Sequence, residues 1–199
     1  EIAHEDFVCV LKTLEEEKKI YMPNDNDVFD YQLYIQETDL AKEIVKLLKG
    51  ERNPEHKMTS YDQNTINDIY EEIEKESSIK FNEEQKNAIT SAFSEPIVIV
   101  TGGPGTGKST IVHAIIKMYL KLNKDSSALI NEIAILAPTG RAAKRLKETT
   151  GMDSSTIHRF LGYIGGDKFT YNKYNKTTAR LIIVDESSMM DLSLAYINA

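Results

Sequence analysis

The sequence predicts an α/β protein in which an open parallel sheet with flanking helices follows a small, mainly helical N-terminal domain. Three short apolar runs rich in β-branched residues, at 97–100, 133–137 and 181–184, are typical of strands buried on both faces. Helical stretches with glycine-rich joints lie between them, and this alternation indicates a parallel sheet. Before residue 79, apolar residues recur at three- and four-residue steps, which predicts helices.

Composition limits the class of protein. The 199 residues are 41% hydrophobic and 28% charged, which fits a globular protein and excludes collagen-like and largely disordered chains. A single cysteine, Cys9, excludes an internal disulfide framework, and no apolar run approaches the length of a membrane span. We therefore expect a cytoplasmic protein. The first residue is Glu1 rather than Met, so we expect a piece of a longer protein.

The charge is divided unevenly along the chain. The whole chain carries a net charge of −7, of which residues 1–78 contribute −11 and residues 79–199 contribute +4. We therefore predict two domains: an acidic helical domain with a linker at 1–78, and a second domain at 79–199. Only the second has a charge that suits a polyanion such as nucleic acid.

The N-terminal domain is predicted to contain helices around a short turn. The run Pro-Asn-Asp-Asn-Asp at 23–27 is a turn signal between extended pieces at 19–22 and 28–31. A polar linker at 51–60 separates these elements from a third helix near Ile66. A winged helix that reads DNA is one interpretation of this domain, but its negative charge favours packing or a protein partner.

A phosphate-binding loop is the strongest functional signal. Residues 102–109 match the pattern G-x-x-x-x-G-K-[ST] between a predicted strand and a predicted helix. Glycines allow backbone N–H groups to surround a phosphate, and the helix directs its positive end toward the same anion. Lys108 is predicted to reach the β- and γ-phosphates of ATP, and the Ser109 hydroxyl to bind Mg²⁺. The predicted cofactor-binding residues of this segment are Gly102, Gly103, Pro104, Gly105, Thr106, Gly107, Lys108, Ser109 and Thr110.

Two adjacent carboxylates, Asp185 and Glu186, follow the third apolar run. Ligands of open α/β sheets bind at the carboxyl ends of the strands, where Asp185 is predicted to hold Mg²⁺ together with Ser109. Glu186 is predicted to accept a proton from an attacking water. These two residues and Lys108 are the predicted catalytic residues. In the alternative interpretation, the Asp-Glu pair is solvated and caps the next helix.

Gln85 has two interpretations that do not exclude each other. Asn82 as the N-cap and Gln85 three residues later form the pattern of a capping box. The Gln85 amide also offers one donor and one acceptor, which suits recognition of an adenine edge.

A basic segment follows the second apolar run. Arg141, Lys144 and Arg145 come after a Pro-Thr-Gly turn that contains Thr139, and they are predicted to contact a nucleic-acid backbone. Further along the chain, the imidazole of His158 and the guanidinium of Arg159 are next to the aromatic Phe160, a mixture that suits phosphate contact and base stacking. The alternative is a solvated helix face.

The motifs together resemble the RecD/TraA-type group of superfamily 1 DNA helicases. The resemblance is carried by FNEEQKNAI, TGGPGTGKST, APTGRAAKRL, TIHRFLG and LIIVDESSMMD, and it covers residues 80–194. It implies a RecA-like lobe at 79–199, ATP hydrolysis coupled to 5′→3′ movement on single-stranded DNA, and a duplex substrate in DNA recombination and repair. It also assigns adenine recognition to Gln85 and single-strand contact to the segments around Thr139, Arg141 and His158.

The resemblance covers the first motor lobe of such a helicase. We therefore expect an incomplete motor, which is nearly inactive alone and lacks a second RecA-like lobe. One alternative is a nucleotide-binding module that acts without turnover in a larger complex, and another is a different ATPase with the same phosphate loop. Glu186 beside Asp185 favours an enzyme, because a pure binding module needs no group that activates water.

Overall fold

The computed structural model describes residues 4–50, 62–103, 105–123, 131–166, 168–172 and 174–198. Contacts between Cα atoms divide the chain into two compact units. The first consists of Glu1–Val45 with Met190–Ala199, and the second of Lys46–Met189. In the described part of the chain, no helix has both the length and the apolar character that a bilayer crossing requires.

The first unit combines helices with one β-hairpin. Its elements are α1 (His4–Glu16), β1 (Ile20–Asn24), β2 (Asp27–Asp30), α2 (Tyr31–Leu48), whose last residues extend beyond the unit, and α8 (Leu192–Asn198). The strands pair antiparallel across the predicted turn, where the Asn24 side-chain oxygen accepts from the backbone N–H groups of Asn26 and Asp27 at 2.8 and 3.0 Å. The predicted turn between two extended pieces is therefore confirmed. The winged-helix interpretation stays a prediction.

The second unit contains the parallel sheet and its helices. Its elements are α3 (Gln63–Ser77), α4 (Glu83–Ser94), α5 (Lys108–Leu122), β3 (Ile133–Ala137), α6 (Gly140–Thr150), β4 (Ser155–Thr156), α7 (Ile157–Phe160), β5 (Tyr163–Gly165), β6 (Lys168–Phe169) and β7 (Leu181–Val184), followed by a 3-10 turn at Ser187–Met189. The predicted α/β class with a parallel sheet is confirmed. Because α3 belongs to this unit by its contacts, the division differs from the boundary at 78/79, which stays a prediction about sequence domains.

The parallel sheet has the strand order β4-β3-β7. All five residues of β3 are buried, as the continuous apolar run predicts for a central strand. Leu136 pairs with Ser155 on one side and with Val184 on the other, and Ala137 pairs with Thr156. Since all three strands are parallel, their carboxyl ends lie at one edge of the sheet.

The prediction of a strand at residues 97–100 is wrong for the described structure. No strand of the described residues pairs with this segment, and Ile99 is 82% exposed. Val100 nevertheless packs against the apolar core. A β-branched run becomes a strand only where a neighbour accepts and donates its backbone hydrogen bonds, and no described residue does so here.

The core of the second unit joins α3, α4 and α5. Ile73, Ile89 and Met118, one from each helix, are at most 1% exposed and belong to a single apolar cluster. A further cluster contains Ile116 of α5, Leu146 of α6 and residues of β3. The helix that begins at Lys108 is therefore packed both against its neighbouring helices and against the central strand.

Ion pairs also connect α3 with α5. The ammonium nitrogen of Lys121 lies 2.9 Å from a Glu76 oxygen and 3.1 Å from a Glu72 oxygen, and that of Lys117 lies 2.9 Å from the other Glu76 oxygen. Hydrogen bonds from Lys121 and then Lys117 lower the pKa of Glu76 to about 2. The Glu76 carboxyl group is therefore ionised at neutral pH and stays ionised in mild acid.

We expect Glu76→Gln to destabilise the chain at neutral pH and to have a smaller effect in acid. Folding lowers the pKa of Glu76 from 4.5 to about 2, so its stabilising contribution is present above the unfolded value and is lost as the pH falls toward 2. Urea unfolding at pH 7 and pH 3 measures the effect. Glu71→Gln, on the same helix but outside these ion pairs, is the control. A Glu76→Gln effect of equal size at both pH values would contradict the assignment.

Candidate nucleotide and nucleic-acid site

Glycine has a structural reason at two positions of the phosphate loop. Gly107 has a φ of +86°, and a Cβ atom there would lie 2.6 Å from the Gln85 amide nitrogen. A Cβ atom at Gly102 would lie 2.7 Å from the Thr106 hydroxyl oxygen. At Gly107 the left-handed backbone is strained for any residue with a Cβ atom, and at Gly102 a Cβ atom would require the Thr106 side chain, which binds the Gly103 carbonyl, to move. The predicted need for glycine is thus explained at both positions.

Side chains of the loop hold its own carbonyl groups. The Lys108 ammonium donates to the carbonyl oxygens of Gly102 and Gly103 at 2.6 and 2.8 Å, and the Thr106 hydroxyl donates to Gly103 at 2.9 Å. The predicted loop residues Gly105, Ser109 and Thr110 complete the described segment, in which Gly105 has a φ of +76°. The prediction for Pro104 lies outside the described residues.

The N-terminus of α5 carries no side-chain cap. Its N-cap is Gly107, and no side chain accepts a hydrogen bond from the first-turn N–H groups. These donors and the positive end of the helix suit an anion. Together with Lys108 and the exposed hydroxyl of Ser109, they fit the phosphates of a nucleotide and its magnesium ion.

Gln85 links the start of α4 to the phosphate loop. Its side-chain oxygen accepts from the Asn82 N–H at 3.1 Å, and its own N–H donates to the Asn82 side chain at 2.8 Å. The predicted capping box is therefore confirmed. The Gln85 amide nitrogen also donates to the Thr106 carbonyl at 3.4 Å. Recognition of adenine by Gln85 stays a prediction.

Asp185 extends the sheet by one hydrogen bond. Its N–H donates to the Leu136 carbonyl at 2.9 Å, directly beyond the last residue of β7. Its side-chain oxygen accepts from the Glu186 N–H at 3.0 Å. Its carboxylate therefore lies at the carboxyl edge of the sheet, where the sequence predicts it. The following α-helix, α8, is capped by Asp191, whose carboxylate accepts from the Leu194 N–H at 2.7 Å.

Glu186 adopts a left-handed backbone conformation, with a φ of +56°. This conformation costs a non-glycine residue roughly 1–2 kcal/mol, and such strain is concentrated at functional sites. The side chain of Glu186 is exposed. The strained backbone and the exposed carboxylate are consistent with a functional position, and the catalytic role stays a prediction.

The basic residues of α6 lie on its exposed side. Thr139 is the N-cap and accepts from the Ala142 N–H at 3.2 Å, while Leu146 is buried. Arg141, Lys144 and Arg145 are exposed. Their contact with a nucleic-acid backbone stays a prediction, as does the alternative of a solvated helix face.

Lys147 differs from the other basic residues of α6. Its ammonium lies 2.6 Å from the carboxylate of Asp153, and this hydrogen bond lowers the pKa of Asp153. Lys147 therefore already has an anionic partner on the same chain.

His158 and Arg159 are exposed on the short helix α7. The Thr156 hydroxyl caps this helix and accepts from the Arg159 N–H at 3.2 Å. Because Thr156 pairs with Ala137, α7 begins beside the carboxyl end of β3, from which the Thr139 segment also starts.

The structure joins some predicted site residues and leaves others apart. Hydrogen bonds join Gln85 to the phosphate loop, and the sheet joins the segments that begin at Thr139, Thr156 and Asp185. Among the described residues, no hydrogen bond joins Ser109 to Asp185, so their shared magnesium site stays a prediction.

The β5–β6 hairpin that follows His158 is a part of the site that was not predicted from the sequence. Tyr163 and Phe169 pair across it, and both rings contact the His158 imidazole. The pair Gly165 and Gly166 between aromatic residues was the available signal, because consecutive glycines between strand-forming residues indicate a hairpin.

The fold and the loop define a nucleotide-binding domain of the P-loop class. The chain belongs to the AAA domain family, whose model matches residues 85–197. The resemblance to RecD-type helicases predicted from the motifs is also confirmed by relatives of known name.

Three relatives illustrate this similarity. Over 109 residues, 55% of this chain and 14% of the relative, the chain is 42% identical to the ATP-dependent RecD2 DNA helicase of Deinococcus radiodurans. It is 34% identical to the RecBCD enzyme subunit RecD of Mycobacterium tuberculosis, over 56% of this chain and 22% of the relative. It is 30% identical to the RecBCD enzyme subunit RecD of Haemophilus influenzae, over 70% of this chain and 27% of the relative. The chain thus spans about a seventh to a quarter of these curated relatives.

We expect glycine to be more stable than alanine at position 186. In the left-handed region, the Cβ atom of Glu186→Ala keeps the strain and Glu186→Gly removes it, a difference of about 1 kcal/mol. Urea unfolding of the two variants measures it.

Ser188 provides the matched control, because its φ is not positive. There Ser188→Ala should be more stable than Ser188→Gly, since glycine loses more backbone entropy on folding. Equal stability of Glu186→Ala and Glu186→Gly would show that the backbone at Glu186 is unstrained.

Proposed function

We propose that this chain is the ATP-binding first lobe of an ATP-dependent DNA helicase. In this proposal, the lobe is RecA-like and acts in DNA recombination and repair with 5′→3′ movement on single-stranded DNA. The carrying observation is the phosphate loop at 102–109, in which Gly107 has a positive φ and, among the described residues, no side chain caps the helix that follows. The similarity to proteins named RecD2 DNA helicase and RecD supports the choice of a helicase over other ATPases.

In the proposed nucleotide site, Lys108 exchanges partners. Its ammonium now donates to the carbonyls of Gly102 and Gly103, and it turns to the β- and γ-phosphates when ATP binds. Charged acceptors form stronger hydrogen bonds than neutral carbonyls, so the exchange is favourable. The backbone N–H groups of the loop and of the first turn of α5 hold the remaining phosphate oxygens.

In the proposed reaction, the lobe supplies a metal site and a base. When bound, Mg²⁺ neutralises charge on the phosphates, and Ser109 and Asp185 are the residues that would hold it. The Glu186 carboxylate accepts the proton of the attacking water. This role separates the helicase proposal from a nucleotide-binding module without turnover, because the module needs no such base.

Gln85 is proposed to contact adenine by giving up its weaker interaction. Its hydrogen bond to the Thr106 carbonyl is 3.4 Å long, whereas the two capping bonds to Asn82 are 3.1 and 2.8 Å. Release of the long bond frees the amide nitrogen and leaves the helix cap intact. The amide can then donate to an adenine ring nitrogen.

In the proposed nucleic-acid site, single-stranded DNA lies along the edge of the sheet where β4 and β3 have their carboxyl ends. Arg141, Lys144 and Arg145 on α6 contact phosphates. His158 and Arg159 on α7 contribute further contacts, because the N-cap of α7, Thr156, pairs with Ala137 at the same edge. The Thr139 hydroxyl already accepts from the Ala142 N–H, so it contacts the DNA by donating its own proton.

Loss of the Lys108 ammonium should weaken nucleotide binding by about tenfold to a hundredfold. A hydrogen bond to a charged group contributes ~1.5–3 kcal/mol, and Lys108→Ala removes it. Calorimetric titration of ATP with Mg²⁺ into the chain measures the affinity. Lys144→Ala, an exposed lysine on α6, is the control and should bind ATP as the unchanged chain does. Equal affinity of Lys108→Ala and the unchanged chain would refute the assignment of the loop.

Removing a phosphate contact should reduce the salt dependence of single-strand binding. Arg141→Gln and Arg145→Gln should each lower the affinity for an oligothymidylate and reduce its logarithmic salt slope by ~0.7. Fluorescence anisotropy at low and moderate salt measures both quantities. Lys147→Gln is the control on the same helix, because its ammonium is paired with Asp153. If Lys147→Gln reduced the slope as much as Arg145→Gln, general charge rather than this surface would explain binding.

A further inference from the structure

Three aromatic rings form a closed cluster beside the proposed nucleic-acid site. The ring centroid of His158 lies 5.5 Å from that of Tyr163 and 5.8 Å from that of Phe169, and the latter two rings are 5.3 Å apart. Tyr163 meets the imidazole edge to face, at 84°. Such contacts have defined geometry and restrict the rotation of the rings that make them.

The hairpin that carries two of these rings is fixed to the end of α7. The backbone N–H and the hydroxyl of Thr170 both donate to the Gly162 carbonyl, each at 3.0 Å, and the Tyr171 N–H donates to the Leu161 carbonyl at 2.9 Å. Gly162 has a φ of +67°, and a Cβ atom there would lie 2.7 Å from the Thr170 hydroxyl oxygen. The base of the hairpin is therefore bonded to the two residues that directly follow the helix containing His158.

The cluster contacts the His158 ring, while the residue as a whole remains exposed. His158 is exposed, and among the described residues no hydrogen bond involves its imidazole. The two rings that contact it are hydrophobic partners. The donor and acceptor nitrogens of the imidazole therefore remain for a ligand, while its orientation is set by Tyr163 and Phe169.

We propose that Tyr163 and Phe169 are positioning residues that orient His158 toward single-stranded DNA. This inference rests on the proposed function, because it assumes that His158 contacts the strand. A free histidine side chain would have to be ordered on binding, whereas the cluster orders it in advance. By the typical cost of ordering one side chain, loss of the cluster should weaken binding about two- to tenfold.

Ile164 supplies a matched control within the same hairpin. It follows Tyr163 directly, and successive residues of a strand point to opposite faces. Ile164 is 68% exposed, more than Tyr163 at 50%. Loss of its side chain therefore changes the hairpin surface without removing a ring from the cluster.

A double-mutant cycle tests the proposal in this chain with a fluorescent oligothymidylate. Tyr163→Ala should weaken binding two- to tenfold and should have no further effect when His158→Ala is already present, since it acts through His158. Tyr163→Phe should restore the affinity, because it keeps the ring and removes only the hydroxyl. Ile164→Ala should bind as the unchanged chain does.

Proton–carbon NMR of the histidine ring provides a readout independent of DNA. The His158 signal should move in Tyr163→Ala and Phe169→Leu and stay in place in Ile164→Ala, because only the first two remove a neighbouring ring. Phe169→Leu keeps an apolar side chain at the hairpin base, so it tests the cluster even where Tyr163→Ala unfolds the hairpin.

The outcomes separate this inference from the proposed function. Additive losses for Tyr163→Ala and His158→Ala, with Arg145→Gln still weakening binding, would overturn the positioning role alone. They would indicate that Tyr163 contacts the DNA itself. An unchanged affinity in His158→Ala would also overturn it. So would an unchanged affinity in both Tyr163→Ala and Phe169→Leu. No binding of the oligonucleotide by the unchanged chain would overturn both.

Discussion

The parallel hydrogen-bond ladder on both sides of β3 is the constraint on which the described site depends. β3 is entirely buried, so its backbone groups need partners. In parallel orientation, β7 pairs with Ile133–Leu136, and β4 pairs with Leu136 and Ala137. Parallel pairing makes the chain leave all three strands in the same direction. The segments that start at Thr139, Thr156 and Asp185 consequently meet at one edge, although they are far apart in sequence. A shift of β3 in register would separate the basic segments from the carboxylates.

The phosphate loop is organised differently, by local contacts. The preceding segment at 97–100 is not paired in the described sheet, yet the loop has a defined shape because Lys108, Thr106 and Gln85 each bind its backbone. The loop therefore retains its form without support from a strand. In the proposed function, ATP replaces the carbonyl partners of Lys108, so its gain comes from exchanging neutral acceptors for charged phosphate oxygens.

Much of the fold could be predicted from the sequence, because its signals are local. The buried run of β3, the cap at Asn82 and the glycines of the phosphate loop each depend on residues within one short segment. Pairing depends on distant neighbours, which explains why residues 97–100 were assigned wrongly. A run such as this one has the composition of a strand, but its composition does not include the partner that makes it one.

The left-handed backbone of Glu186 and the ring cluster around His158 were also outside the reach of sequence analysis. Glu186 is not a residue that prefers positive φ, so its conformation follows from the turn between β7 and the 3-10 segment. Tyr163 and Phe169 meet His158 only because the hairpin folds back onto α7. Both features depend on tertiary structure, and each involves a residue, Glu186 or His158, that the sequence predicts to be functional.

The order of the three strands has a consequence for the proposed helicase. β3 lies between β7, which carries Asp185, and β4, which leads to His158. The Asp185 N–H is bonded to the Leu136 carbonyl, and Leu136 is three residues before the cap of α6, Thr139. One hydrogen bond and one short backbone segment thus connect Asp185 with the basic helix α6. In the proposed function, the central strand is therefore the element that the nucleotide site and the nucleic-acid site have in common.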